Sequence, residues 1–230
     1  MRPPSRVRFH AERQDTSLPA WQRLLEVVDE AATDGREVFK PLVELSPQER
    51  RDIITLPPTI ARLTEVKHLN LYGSSLVRIP PEIGAMSSLE EFSPYTSSRL
   101  HWFPYELTRC PKLRNSTVST RAIYGNFKYR PSFPELQPAR SSTAGLDCAQ
   151  LDPGTWGYDA IESCGVCQRP IGTAGLRQVW ISLRIATDVL PLLVNACSPA
   201  CVEALPTPPD DHVQRPHTGG PDLVQPPSYH

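Results

Sequence analysis

The sequence predicts an α/β fold: an N-terminal helical cap, a short solenoid of repeated strand-containing turns, and a small α+β module near the C-terminus. Two observations support this prediction. Apolar residues recur at a fixed period between Leu56 and Ile123, and two closely spaced cysteine pairs lie in an apolar stretch at 159–205. The predicted boundaries are a lead at 1–16, the cap and repeats at 17–135, a linker at 136–158, the module at 159–205 and a Pro-rich tail at 206–230.

The composition favours a globular chain with no bias toward nucleic acid or membranes. Of the 230 residues, 39% are hydrophobic and 21% are charged, and the net charge is −1. No apolar run approaches the ~18 residues of a membrane span, and the basic segment Met1–Arg13 lacks the apolar core of a secretory signal. We therefore expect no membrane partner and a cytoplasmic protein, in which cysteines bind metal or stay reduced.

Two helices are predicted ahead of the repeats. The first is capped by Thr16 or Ser17 and stopped by Gly35, because the apolar residues between them recur at helical spacing. The second opens at Ser46, where Glu49 completes a capping box.

The repeat is marked by an apolar residue followed by proline, at Leu56, Ile79 and Phe103. The offsets are 23 residues (79 − 56) and 24 residues (103 − 79). Other apolar residues agree in phase: Leu63, Val66, Leu69, Leu71, Leu76, Ile83, Met86, Leu89, Phe92, Leu100, Leu107, Cys110, Leu113, Val118 and Ile123. A fixed period in this range indicates a solenoid whose turns each bury their apolar edge against the next.

The segment Leu63–Ile83, LTEVKHLNLYGSSLVRIPPEI, resembles a leucine-rich repeat, and the resemblance covers about residues 50–125. Such an array needs covers at both ends. We expect the helices before Leu56 to cover one end and Tyr124–Pro134 to cover the other. The chain departs from the family pattern at five positions: Ser74, Ser97 and Arg121 stand at or beside the family's asparagine, and Pro94 and Ser116 replace core leucines.

The resemblance implies that the exposed face of the repeat sheet binds another protein. Leu69 and Leu71 should point inward, and the residues between them outward. The predicted partner-binding residues are His68, Asn70, Tyr72, Glu91, Ser93, Tyr95, Asn115, Thr117 and Ser119. Tyrosine suits such contacts, being large, stiff and polar at its tip. An ordinary solvated sheet face is the alternative for any single residue, and for the whole strip we expect a protein–protein interaction or scaffold role.

A second hypothesis concerns residues 93–131, where basic and aromatic side chains alternate. The basic residues are Arg99, Arg109, Lys112, Arg114, Arg121, Lys128 and Arg130, and the aromatic ones are Tyr95, Trp102, Phe103, Tyr105, Tyr124, Phe127 and Tyr129. Such a segment can bind single-stranded nucleic acid or a phosphate ligand. The opposing expectation is that the rings pack on the repeats and that the basic groups pair with helix carboxylates such as Glu26, Asp29 and Glu49.

The cysteine pairs Cys164-x2-Cys167 and Cys197-x3-Cys201 predict a structural zinc site. Between them, the apolar runs 179–185 and 190–194 predict a hairpin, and Cys197 precedes a short helix at 199–205. This order resembles the treble-clef zinc fold. Four thiolates would close the coordination sphere, and no H-x-E or H-E-x-x-H motif accompanies them.

Other interpretations of the cysteines and of the tail remain at this stage. The alternatives for the four cysteines are buried core thiols, or a redox pair at Cys164 and Cys167, although no βαβ pattern surrounds them. We expect Cys110 to be a core residue and assign Cys148 no role. His217 is an alternative ligand, but a solvent-facing tail histidine is the stronger expectation. The terminal Pro226-Pro227-Ser228-Tyr229 matches a PPxY motif, which we interpret as chance.

No catalytic motif stands out in the chain. G-x-S-x-G, the Walker A motif, G-x-G-x-x-G and H-E-x-x-H are all missing from the sequence. We therefore expect a non-enzymatic protein with no catalytic residues.

Overall fold

The computed structural model describes His10 and residues 12–136, 141–142, 145–146, 161, 163–171 and 175–228. The α-helices are α1 (Pro19–Asp34), α2 (Pro47–Asp52) and α3 (Pro199–Glu203). The strands are β1 (Val38–Phe39), β2 (His68–Asn70), β3 (Glu91–Ser93), β4 (Phe103–Pro104), β5 (Asn115–Ser116), β6 (Ser141–Ser142), β7 (Gly145–Leu146), β8 (Arg177–Ile185) and β9 (Asp188–Ala196). They form a four-stranded sheet (β1-β2-β3-β5), a three-stranded sheet (β4-β9-β8) and the pair β6-β7. This mixed α/β arrangement confirms the α/β part of the predicted fold class.

The N-terminal helices begin and end for local reasons. Pro19 occupies the first turn of α1 and Leu18 is its N-cap without a side-chain bond, so the predicted caps Thr16 and Ser17 were wrong. Proline suits this position because it has no N–H to satisfy and its φ is already helical. Gly35 ends the helix at φ 66, as predicted.

The capping box of α2 is present as predicted. The backbone N–H of Glu49 donates to Ser46 Oγ at 3.3 Å, and the N–H of Ser46 donates to Glu49 Oε2 at 2.7 Å. Two amides that helix geometry leaves without partners are thereby satisfied.

The four-stranded sheet is wholly parallel. The chain returns to it repeatedly and adds one strand each time, and each such return is called a passage below. His68 pairs with Glu91, and Glu91 with Asn115, offsets of 23 (91 − 68) and 24 (115 − 91) residues. Short 3-10 helices follow the strands: Pro41–Glu44, Pro58–Arg62, Pro81–Ala85, Tyr105–Arg109 and Thr120–Ala122. The sheet and these helices, residues 38–123, are called the parallel array below. Leu69 and Phe92 point into its core and are fully buried.

Serine hydroxyls connect neighbouring passages of the array where asparagine was expected from the family pattern. The backbone N–H of Ser74 donates to Ser97 Oγ at 3.2 Å, and the two hydroxyls lie 2.6 Å apart. Ser97 Oγ also donates to the carbonyl of Leu71 at 3.1 Å. Because both serines are buried, these bonds satisfy polar groups that would otherwise be costly to bury.

Helix α1 and the hairpin β8–β9 lie at opposite ends of the array. Ser116 in β5, which replaces a core leucine, is tied to the turn of that hairpin. Its N–H donates to Thr187 Oγ1 at 3.1 Å and its hydroxyl donates to Asp188 Oδ2 at 2.7 Å. A hairpin far along the chain therefore covers this end. The predicted cover Tyr124–Pro134 packs beside it, because Tyr124 and Phe133 are buried against Trp102 and Trp180.

The cysteine-bearing module packs on the array, a point that the sequence left open. Strand β4 of the array pairs in parallel with β9, with Phe103 opposite Leu192. One apolar core extends from α1 through the array to the hairpin and to Cys164 and Cys201. The module is thus an end cover of the array.

The segment after Pro206 is packed on the protein, although an extended tail was predicted. His217 forms a bridge with Trp180, whose N–H donates to the His217 carbonyl at 2.7 Å. His217 is only 9% exposed, so the expectation of a solvent-facing histidine was wrong. Gly219 is required next to it, because at φ 75 a Cβ atom would lie 2.3 Å from the carbonyl oxygen of Pro134. In the described parts of the chain, no helix is both long enough and apolar enough to cross a membrane.

Candidate metal centre and binding face

Four cysteines that are distant in sequence meet at one point. The Sγ atoms of Cys164, Cys167, Cys197 and Cys201 all lie within 4.8 Å of one another. The Cys167–Cys197 and Cys197–Cys201 separations are 3.6 and 3.7 Å. With Zn–S bonds of about 2.3 Å, tetrahedral geometry requires sulfurs roughly 3.8 Å apart. The two separations are close to this value, and both far exceed the ~2.05 Å of a disulfide.

A tight turn presents the first cysteine pair. The carbonyl of Arg169 accepts from the N–H of Cys164 at 2.8 Å, and the carbonyl of Cys164 accepts from the N–H of Gln168 at 3.0 Å. Gln168 adopts a left-handed φ of 62 to close this turn. The N–H of Cys167 lies 3.5 Å from Cys164 Sγ, so the turn also directs an amide dipole at a ligand.

The second pair is presented by the end of β9 and the start of α3. Cys197 directly follows the strand, and Ser198 caps the helix by accepting the N–H of Cys201 at 3.2 Å. The hairpin predicted at 179–185 and 190–194 is present as β8 and β9, whereas the helix predicted at 199–205 is shorter, at Pro199–Glu203.

The electrostatics of the cluster suit a cation. Arg169 Nε donates to Cys167 Sγ at 3.4 Å and lowers the pKa of that thiol to about 6. A hydrogen bond to Cys167 and burial raise the pKa of Cys197 to about 12, because one thiolate opposes ionisation of the next. A divalent cation removes this conflict, since it attracts all four thiolates. Among the described residues, the group includes no histidine or carboxylate, and four thiolates leave no open position for a substrate.

Cys110 is not part of the cluster. It is 6% exposed in the core of the array, as predicted, and its thiol donates to the carbonyl of Ile83 at 3.3 Å. Burial raises the pKa of this thiol to about 12, so it stays protonated. Cys148 and Tyr229 of the PPxY motif lie outside the described residues.

Two residues of the array contact the turn that carries Cys164 and Cys167, and the sequence did not predict either contact. Arg109 Nη2 donates to the carbonyls of Cys164 and Gly165 at 3.2 and 2.6 Å. Glu106 is 4% exposed, and a Cβ atom on Gly165 would lie 2.9 Å from its Oε1. No local spacing signals these contacts, because they join positions more than fifty residues apart.

Glu106 is a buried carboxyl with an incomplete set of partners. Its Oε2 makes no hydrogen bond, and burial raises its pKa from 4.5 to about 7, although Arg109 opposes the shift. Between about pH 4.5 and 7 the folded chain therefore binds more protons than the unfolded chain. The stability associated with the protonated carboxyl is present below this window and is lost as the pH rises through it.

Replacing Glu106 by glutamine should stabilise the protein at about pH 8, by up to roughly 3 kcal/mol, since a neutral side chain avoids that loss. The difference from the natural protein should shrink toward zero near about pH 5. Urea unfolding of both proteins at about pH 5 and about pH 8 measures this difference in the free energy of unfolding, and Glu65→Gln, at an exposed position, is the control. A difference that does not change with pH would contradict the assigned burial of the charge.

The nine predicted face residues lie on the accessible side of the parallel array, and none of them is buried. Tyr72 and Tyr95 are the most prominent, 61% and 47% exposed, with ring centroids 6.1 Å apart. His68 and Glu91 approach one another at 3.6 Å. Asn70 is engaged locally, because its Oδ1 accepts the N–H of Tyr72 at 3.0 Å. The face is therefore a neutral polar strip with an adjacent pair of exposed aromatic rings.

Much of the basic and aromatic segment 93–131 is committed to internal contacts. Arg99 pairs with Glu12 and Arg114 with Glu90, and not with the helix carboxylates that were expected. Arg130 donates to the carbonyl of Asp211 at 2.7 Å. Trp102, Phe103 and Tyr124 are buried, as the opposing expectation held. These contacts involve only part of the segment, since Lys112, Arg121, Lys128 and Tyr129 are exposed.

Comparison of the sequence with protein-family models and with curated proteins found no match to either.

Proposed function

We propose that this protein is a non-enzymatic binding scaffold, built on a short leucine-rich-repeat solenoid that recognises another protein. Three features of the parallel array support the solenoid: in-register strands offset by 23 and 24 residues, proline-initiated 3-10 helices, and serines that bond across turns. Each turn buries its apolar edge against the next, and other elements cover both ends.

The observation that most supports a protein partner is the exposed pair of Tyr72 and Tyr95. Tyr72 and Tyr95 lie just after β2 and β3, and their neighbouring exposed rings leave a joint apolar area in water, as interaction sites do. Tyrosine is also enriched among the residues that contribute most to protein interfaces. The polar side chains around the pair fit the rim of such an interface.

Replacing both tyrosines by alanine, as Tyr72→Ala with Tyr95→Ala, should reduce partner capture from a lysate at least about tenfold, since interface anchors contribute roughly 2 kcal/mol or more. Quantitative mass spectrometry of the captured proteins measures the effect. Far-UV circular dichroism should remain unchanged, because both rings are exposed. Tyr129→Ala removes a tyrosine of similar exposure elsewhere and serves as control. Equal capture by the double variant and the control would refute this face.

We further propose that the four cysteines hold one structural Zn²⁺. The four Sγ atoms at tetrahedral spacing support zinc, whose preferred structural ligands are thiolates and imidazoles. When bound, the ion would join the Cys164–Cys167 turn to the start of α3. Its role in the scaffold is to hold the module in the shape that covers the end of the array.

A further inference from the structure

We propose that Arg109, which belongs to the array and not to the module, is a positioning residue of the metal centre. The inference rests on the proposed zinc site and assigns that site a supporting residue from a different part of the fold. Arg109 ends the 3-10 helix Tyr105–Arg109, and its guanidinium is half-buried against the turn that carries Cys164.

Arg109 fixes the orientation of two peptide groups in the turn. It donates to the carbonyls of Cys164 and Gly165 at 3.2 and 2.6 Å. On the other side of the turn, the N–H of Gly165 donates to the carbonyl of Asn195 in β9 at 2.7 Å. The turn is held between the array and β9, so its carbonyls face the guanidinium and the N–H of Cys167 stays directed at Cys164 Sγ.

Charge gives Arg109 a second effect on the same site. Zinc with four thiolates carries a net charge of −2, which is costly in a site where Cys164 is fully buried. Arg169, from the module's own loop, contacts Cys167 Sγ on the exposed side. Arg109 adds positive charge from the side of the array, at the backbone of Cys164. Outer groups of this kind orient metal ligands and tune their affinity.

The two effects couple the metal to the array. Removing Arg109 leaves all four ligands in place, so the site should still bind zinc, but about 10- to 100-fold more weakly. Arg109→Lys keeps the charge but loses the planar fork that reaches two carbonyls, so its affinity should lie between the natural protein and Arg109→Ala. Arg114→Ala is the matched control, because Arg114 is an exposed arginine of the same array whose side chain pairs with Glu90.

The test measures Zn²⁺ affinity by competition with a chromophoric chelator, and the visible ligand-field bands of Co²⁺, on full-length proteins. We expect weaker zinc binding and shifted Co²⁺ bands for Arg109→Ala, smaller changes for Arg109→Lys, and none for Arg114→Ala. Arg109→Gln, which still donates to a carbonyl, replaces the alanine variant if that variant does not fold. Zinc affinity and Co²⁺ bands equal to those of the natural protein overturn the inference, as does lower stability with unchanged bands. A natural protein that binds neither ion would instead refute the proposed zinc site.

Discussion

If the four cysteines hold Zn²⁺ as proposed, Cys164→Ser is expected to release the ion and to destabilise the elements around the site, β8, β9 and α3. In the proposed site the ion would join the Cys164–Cys167 turn to the start of α3, where the described cysteines form no disulfide. Structural zinc contributes roughly 10 kcal/mol or more of binding free energy, comparable with the roughly 5–15 kcal/mol net stability of a typical domain.

The effect should extend to the array, because the two parts share one core. If about 5 kcal/mol of the lost zinc-binding free energy appears in the cooperative unfolding of the protein, its melting temperature falls by roughly 10–20 °C. Calorimetry together with metal analysis measures both quantities. Cys110→Ser is the control, since it removes a buried thiol outside the cluster and should retain one zinc per chain. A Cys164→Ser protein that keeps both its zinc and its melting temperature would exclude a structural metal here.

The second large effect is expected at Trp180. This residue is fully buried, and its ring meets those of Trp102, Tyr124 and Phe133 at centroid distances of 5.9, 5.9 and 5.7 Å. Its Nε1–H donates to the carbonyl of Pro134 at 3.0 Å. It therefore joins the hairpin to the chain after the array and, through the bridge with His217, to the C-terminal segment.

Trp180→Ala should destabilise the protein by about 3–5 kcal/mol, the range for large aromatic side chains removed from a core. Trp180→Phe keeps part of the ring volume and loses the indole donor, so its loss should be smaller. Chemical denaturation measures both variants, and limited proteolysis should show earlier cleavage after Pro206 in the alanine variant. The exposed Tyr129→Ala should stay within about 0.5–1 kcal/mol. Equal stability of Trp180→Ala and Tyr129→Ala would contradict the packing described for this cluster.

Local patterns predicted the parts of this fold that local physics determines. The capping box at Ser46 and the helix stop at Gly35 were predictable, because each depends on a few neighbouring residues. The period of 23 to 24 residues predicted the strand register, since every passage of the array repeats the same apolar positions. The spacing of the two cysteine pairs, C-x2-C and C-x3-C, predicted that the four thiols lie together, because such pairs are typical of metal sites.

Long-range packing explains what the sequence did not predict. The hairpin covers the end of the array through Ser116 and Asp188, a contact that has no local signature. His217 was expected in solvent, because proline and glycine around it suggest an open tail, yet Phe133 packs on its ring at 4.6 Å. Arg109 was counted among the basic residues of a nucleic-acid segment, and its contacts with the cysteine turn depend on how the module docks.

Amide hydrogen exchange, in the presence of zinc and after its removal, tests most directly whether the cysteine module closes the array with the help of the proposed metal. Removing the metal with a chelator should speed exchange in β8 and β9, and also in β5, where the amide of Ser116 loses the Thr187 hydroxyl. Exchange in β2, near the other end, should change least. Unchanged protection of β5 after complete loss of zinc would contradict the account, because the end of the array would then be stable without the metal.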